Sequence, residues 1–300
     1  MQEIIRARSS QMLRFLIIRL LERRLPVRNL YLALMPFALL RATVNTAFKN
    51  CRPCVPLPEC LETAWSARLN RRQRMNGYLN EVLDYFPDQL AGSKWRERCR
   101  ITGLERLQQA RRNGRPIILA FVHIGPVGLI RAWLRGAGFP AAIFLGGRSG
   151  NRPEIRRHLD KYFPDPAIPT TFCLDQLREL LAFLAAGNPL CIAMDVPGSE
   201  DKKVEVPFCA GWTFRMNTGA LRLALRQRAE LIPASIIDEG GWRFRIELGR
   251  PVPEELLAGE AGWPRAGKFL LDEMMPYFQD RPELCKGDFI LCLKKTAAST

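Results

Sequence analysis

The sequence predicts an α/β fold with a largely parallel central sheet flanked by helices, plus N-terminal helices suited to a membrane surface. Three observations predict it. From about residue 99 onward, short apolar runs alternate with amphipathic stretches, the pattern of strands joined by crossover helices. Ile117-Ile118-Leu119-Ala120-Phe121-Val122 is a continuous apolar run, as a strand buried on both faces requires. Residues 1–50 are at once apolar and basic, with nine Lys+Arg against two acids, a balance of +7.

The elements follow in order. Leu13, Leu16, Ile17, Leu20 and Leu21 share one face of a helix over about 10–24, which Pro26 ends. A second helix is expected over about 29–48; its apolar stretch is short and holds Pro36, so it reads as interfacial or buried rather than spanning. Residues 50–58 hold three prolines and two cysteines and form a linker. Helical patterning resumes over about 59–87. The chain therefore divides into a membrane-associating helical region, 1–58, and an α/β domain, 59–300.

Within that domain, strands are expected at Ile117–Val122, Ala141–Leu145, Pro189–Met194, Glu230–Ile237 and Trp242–Leu248. Helices are expected at Pro126–Arg135, Arg152–Phe163, Leu174–Ala186, Phe214–Arg228 and about 264–280, and an apolar stretch, Phe289–Leu293, closes the chain. Pro126 suits a first helical turn.

The net charge of +15 attracts polyanions. The most basic region is also the most apolar and carries no aromatic-basic stacking motif. That favours an anionic phospholipid surface and argues against nucleic acid. The nine cysteines are irregularly spaced and read mostly as reduced thiols. Cys51, Cys54 and Cys60 have no second pair or nearby His to complete a tetrahedral site, so no metal is expected. No cleavable leader and no uncharged apolar run of membrane-spanning length stands out.

The chain holds two histidines. His158 lies among Arg156, Arg157 and Asp160 and reads as a solvated residue. His123 ends the strand of Ile117–Val122 and precedes the sharp turn Ile124-Gly125-Pro126. In open α/β sheets ligands bind at the carboxyl ends of strands, so an imidazole there is placed to act as a general base.

These residues resemble a known family. Asn113-Gly114-Arg115-Pro116 before the strand, then His123-Ile124-Gly125-Pro126-Val127-Gly128-Leu129, is similar to the bacterial lipid A late acyltransferases (lauroyl and myristoyl transferases). They sit within the lysophospholipid/glycerol-3-phosphate acyltransferase superfamily. The likeness continues through Cys99–Glu105 upstream and Leu184–Asp195 downstream. It then runs through Val206-Pro207-Phe208 to Gly219, Leu223-Ala224 and Leu231-Ile232-Pro233. It holds in order over roughly residues 70–253.

The resemblance implies an acyltransferase-like α/β domain. It also implies a fatty acyl transfer from an acyl carrier protein or coenzyme A thioester to a hydroxyl or amine of a lipid or glycolipid. No cofactor is implied, since the thioester is itself the donor substrate. The histidine would deprotonate the acceptor, and an acid five residues later would orient it, the triad logic without a serine. Backbone N–H groups or an arginine would stabilise the oxyanion. The site residues it points to are His123 as the base, with Gly125, Arg148, Arg152 and Phe208 for substrate. Its partners are an acyl carrier protein, the anionic membrane and the acceptor, at the cytoplasmic face of a bacterial inner membrane.

One departure stands out. The fifth residue after His123 is Gly128, which has no carboxylate. Asp195, which also follows a strand, is the first substitute; Glu205 and Asp201 are looser ones. Without a substitute the chain would be a catalytically impaired relative that binds lipid or carrier.

Overall fold

Strand β2, Ile117–Phe121, lies at the centre of a seven-stranded sheet. All five of its residues are buried. The computed structural model describes residues 97–146, 171–196, 202–209, 211–240, 243–280, 284–285 and 287–296, with parts of a helix between 35 and 43. The expected helices over 10–24, 59–87 and 152–163, the linker at 50–58, and Arg148, Arg152, His158 and Asp201 lie outside the described residues.

The other strands of this sheet are β1 (Cys99–Thr102), β3 (Ala142–Phe144), β4 (Thr171–Phe172), β5 (Pro189–Ala193), β8 (Glu230–Gly240) and β9 (Arg243–Leu248). β2 pairs in parallel with both β5 and β8, β3 with β4 and β5, and β1 with β9; β8 and β9 form an antiparallel hairpin. The sheet is thus α/β and mostly parallel, as the alternation of elements predicts.

Alternation along β2 builds two cores at once. Ile117, Leu119 and Phe121 face a cluster that includes Leu129, Trp133 and Leu134 of α2 (Gly128–Gly136). Ile118, Ala120 and Val122 face the opposite cluster. There they meet α3 (Leu177–Ala185), α4 (Gly219–Gln227) and the long α6 (Trp263–Asp280), through residues such as Leu184, Leu221 and Leu270. Covering both faces is why the strand can be apolar throughout. α1 (Leu104–Arg112) adds Leu107 and Ala110 to the β1 side, and the short α5 (Glu254–Leu257) precedes α6.

A second, three-stranded sheet was not anticipated. It has the order β10-β7-β6, from β6 (Lys203–Cys209), β7 (Trp212–Asn217) and β10 (Leu293–Lys295), which follows α7 (Gly287–Leu291). The helix expected over Phe214–Arg228 is therefore a strand up to Asn217, and only Gly219–Gln227 is helical. Trp212, Phe214 and Met216 are buried, while Thr213, Arg215 and Asn217 between them are half-buried. That period of two belongs to a strand, and the apolar leucines after Gly219 masked it. The closing stretch Phe289–Leu293 likewise divides between α7 and β10.

Candidate active site

The parallel register of β2 and β5 builds the site. Phe121 stands opposite Ala193, and the Met194 N–H donates to the Phe121 carbonyl at 2.8 Å. Two residues further on each strand come His123 and Asp195, so the pairing itself delivers them to one place at the carboxyl edge of the sheet. Seventy-two residues of chain separate them.

Asp195 grips His123 twice. Its Oδ2 accepts the His123 backbone N–H at 2.7 Å, and its Oδ1 lies 2.7 Å from the imidazole Nδ1. The Asp195 side chain is 0% exposed and that of His123 is 22% exposed. A buried carboxylate is costly unless its lone pairs are filled, and here both oxygens meet nitrogens. A carboxylate accepts only, so Nδ1 carries the proton toward it. Nε2 is then left with its lone pair, as a base requires. The Phe121 ring packs edge-on against the imidazole, with centroids 5.7 Å apart.

The turn after His123 depends on Gly125. Its φ is +59°, and a Cβ there would lie 2.9 Å from the Ile236 carbonyl oxygen. Only glycine takes that conformation against that neighbour without strain. The Gly125 N–H donates to the Leu284 carbonyl at 3.0 Å. Gly125, expected at a substrate, thus shapes the turn, and its N–H already has an acceptor.

Phe208, also expected at the substrate, is 3% exposed. Its ring meets Phe278 at 5.9 Å and Phe289 at 5.8 Å. Those contacts make it a packing residue of the second sheet. Glu205, a looser candidate for the acid, is exposed and pairs with Lys294 at 3.2 Å. Gly128 opens α2 and has no side chain to offer His123.

One residue escaped the reading of the sequence. Arg131 of α2 is 5% exposed, with Nη1 3.5 Å from the Thr171 hydroxyl, and its charge acts on the Cys191 thiol. Among so many arginines nothing marked this one as buried. A cleft of about 700 Å³ lined by Arg115, Leu225, Arg228 and Glu254 lies elsewhere: Arg115 precedes β2, whereas His123 follows it. Among the described residues no helix is long and apolar enough to cross a membrane.

A mostly parallel α/β sheet thus carries the Asp195–His123 pair at its carboxyl edge. The chain is an acyltransferase and belongs to the bacterial lipid A biosynthesis acyltransferase family, whose sequence model matches residues 87–249. Among solved structures it is similar to the 1-acyl-sn-glycerophosphate (LPA) acyltransferase PlsC from Thermotoga maritima. That likeness has 14% identity, covers 82% of this chain and 98% of that one, and has a TM-score of 0.40. No curated protein sequence matches the chain.

Proposed function

We propose that the protein transfers a fatty acyl group from an acyl carrier protein or coenzyme A thioester to a hydroxyl or amine of a lipid or glycolipid, with His123 as general base. The observation that carries this is the double contact between His123 and Asp195. Nε2 takes the acceptor proton as its oxygen or nitrogen attacks the thioester carbonyl. The tetrahedral intermediate then collapses, the C–S bond breaks, and the imidazolium returns its proton to the leaving thiolate. Asp195 holds the tautomer and offsets the imidazolium charge, the part an acid at position 128 would otherwise play. The reaction needs no cofactor beyond its donor.

The setting we infer is the cytoplasmic face of a bacterial inner membrane, reached through the basic, apolar region 1–58 and followed by the domain 59–300. The charge of +15 suits both an acidic carrier protein and anionic phospholipid. Arg148 and Arg152 remain the proposed ligands of an anionic part of the substrate, since a guanidinium fork binds phosphate with two hydrogen bonds.

The test offers purified protein each thioester in turn with a lipid acceptor pool, beside His123→Ala. Product from the wild type and none from His123→Ala is the expected result. Product that survives His123→Ala removes His123 from the role of base. Turnover with one donor alone separates carrier protein from coenzyme A.

A further inference from the structure

We propose that the second sheet and the chain end that feeds it are a positioning device for His123 and Asp195, a reading that rests on His123 being the base. Two separate segments of this unit touch the two strand ends that carry the pair. At the end of β7, the Asn217 N–H donates to the Met194 carbonyl at 2.9 Å, one residue before Asp195. At the chain end, Leu284 accepts the Gly125 N–H, and Cys285 forms an antiparallel bridge with Ile124, one residue past His123. Leu284 and Cys285 are both buried. Among the described residues the turn's other backbone bonds are local: Ile124 N–H to Val122 and Val127 N–H to Gly125.

The two contacts belong to one body. Leu293 of β10 pairs with Phe214 of β7, and the Arg215 N–H donates to the Cys292 carbonyl at 2.8 Å. Phe289, between Cys285 and β10, stacks on Phe278 at 4.7 Å and tilts against Phe214 at 5.3 Å. The Thr218 hydroxyl and N–H both donate to the Lys202 carbonyl and close the base of the hairpin. Packed aromatic rings thus join the two segments that contact the strand ends. β6 and β7 lie within the stretch matched to the family, 87–249, and the segment from Leu284 to β10 lies beyond it. Phe208 finds its purpose here, packed against Phe289.

A base that must sit within hydrogen-bond reach of its acid and its substrate loses rate steeply when misplaced, about 10²-fold for 1 Å. Leu284→Ala and Phe289→Leu loosen the brace at two separate points without touching the pair. Expected for each are a kcat about tenfold or more below wild type and a donor KM within about twofold. The low-field proton signal of Nδ1–H bonded to Asp195 should broaden or vanish, and the Gly125 amide should exchange faster. Leu284→Met should restore all of these. Variants that melt at lower temperature yet keep kcat and the low-field signal make the second sheet merely structural and overturn the proposal. Should one variant fail to fold, the other decides. Failure of the underlying reading looks different: His123→Ala would then retain wild-type kcat whatever the brace variants do.

Discussion

His123 and Asp195 occupy matching positions on neighbouring parallel strands, each two residues past a register pair, Phe121 and Ala193. The acid therefore reaches the imidazole through sheet pairing and not through the helix that follows the histidine. Strand registry brings the two residues to the same edge of the sheet. The two oxygens of Asp195 are spent on two nitrogens of one residue, orienting both the ring and its backbone.

Asp195→Asn tests the assignment of the acid. The amide is nearly the same shape, so the fold should survive. It can place an N–H toward Nδ1 and so favour the tautomer with the proton on Nε2, which cannot accept. In a serine-protease triad the equivalent change costs about 10⁴ in kcat, and a loss of that order is expected in a single-turnover assay. A variant within threefold of wild type, about 0.6 kcal/mol, would falsify the acid role.

How much of this the sequence discloses depends on the kind of information each element carries. β2 is legible because both its faces are buried and the apolar run has no competing period. His123 is legible because the strand end and the Gly125-Pro126 turn are local features. Asp195 is legible only as a candidate, since registry between strands 72 residues apart is written nowhere in either segment. β7 is misread because Trp212, Phe214 and Met216 run directly into the leucines of α4, and the helical period overwhelms six residues of alternation. Phe208 stands on β6, whose partner β7 is read as helix. Without that hairpin its contact with Phe289 is invisible.

Gly128→Glu asks whether the vacant helix position matters. A glutamate in the first turn of α2 meets the positive end of the helix, worth about 0.3–1 kcal/mol, and relieves a helical glycine of about 0.5–1 kcal/mol. Nδ1 of His123 is already taken by Asp195. A higher melting temperature with kcat changed less than about threefold is therefore expected. A rise in kcat of tenfold or more would show that Asp195 leaves His123 short of charge.

Gly125→Ala places a methyl 2.9 Å from the Ile236 carbonyl at a φ of +59°. Forcing a side chain into that backbone costs about 1–3 kcal/mol. Because Ile236 belongs to the hairpin strand β8, the turn and not the strand should yield, displacing His123. Chemical denaturation should show the loss of stability, and kcat should fall with it. A variant as stable as the wild type would mean the turn relaxes freely.

The thiols of Cys99 and Cys191 give the molecule an alkaline limit. Burial pushes both up from 9.0 to about 12; for Cys99 the Ile246 backbone hydrogen bond opposes this and Glu239 adds to it, and for Cys191 the Arg131 charge opposes it. The folded state thus holds these protons more tightly than the unfolded chain does. Their stabilising effect is complete below pH 9.0 and is lost as pH rises from there toward about 12. The denaturation midpoint should fall over that window, and less steeply in Cys99→Ala and Cys191→Ala. At pH 8 both thiols should resist alkylation in the native protein and react once it is unfolded, because only the thiolate is nucleophilic. Fast native labelling of Cys191 at pH 8 would mean that β5, and with it the strand end carrying Asp195, opens far more readily than its pairing with β2 and β3 allows.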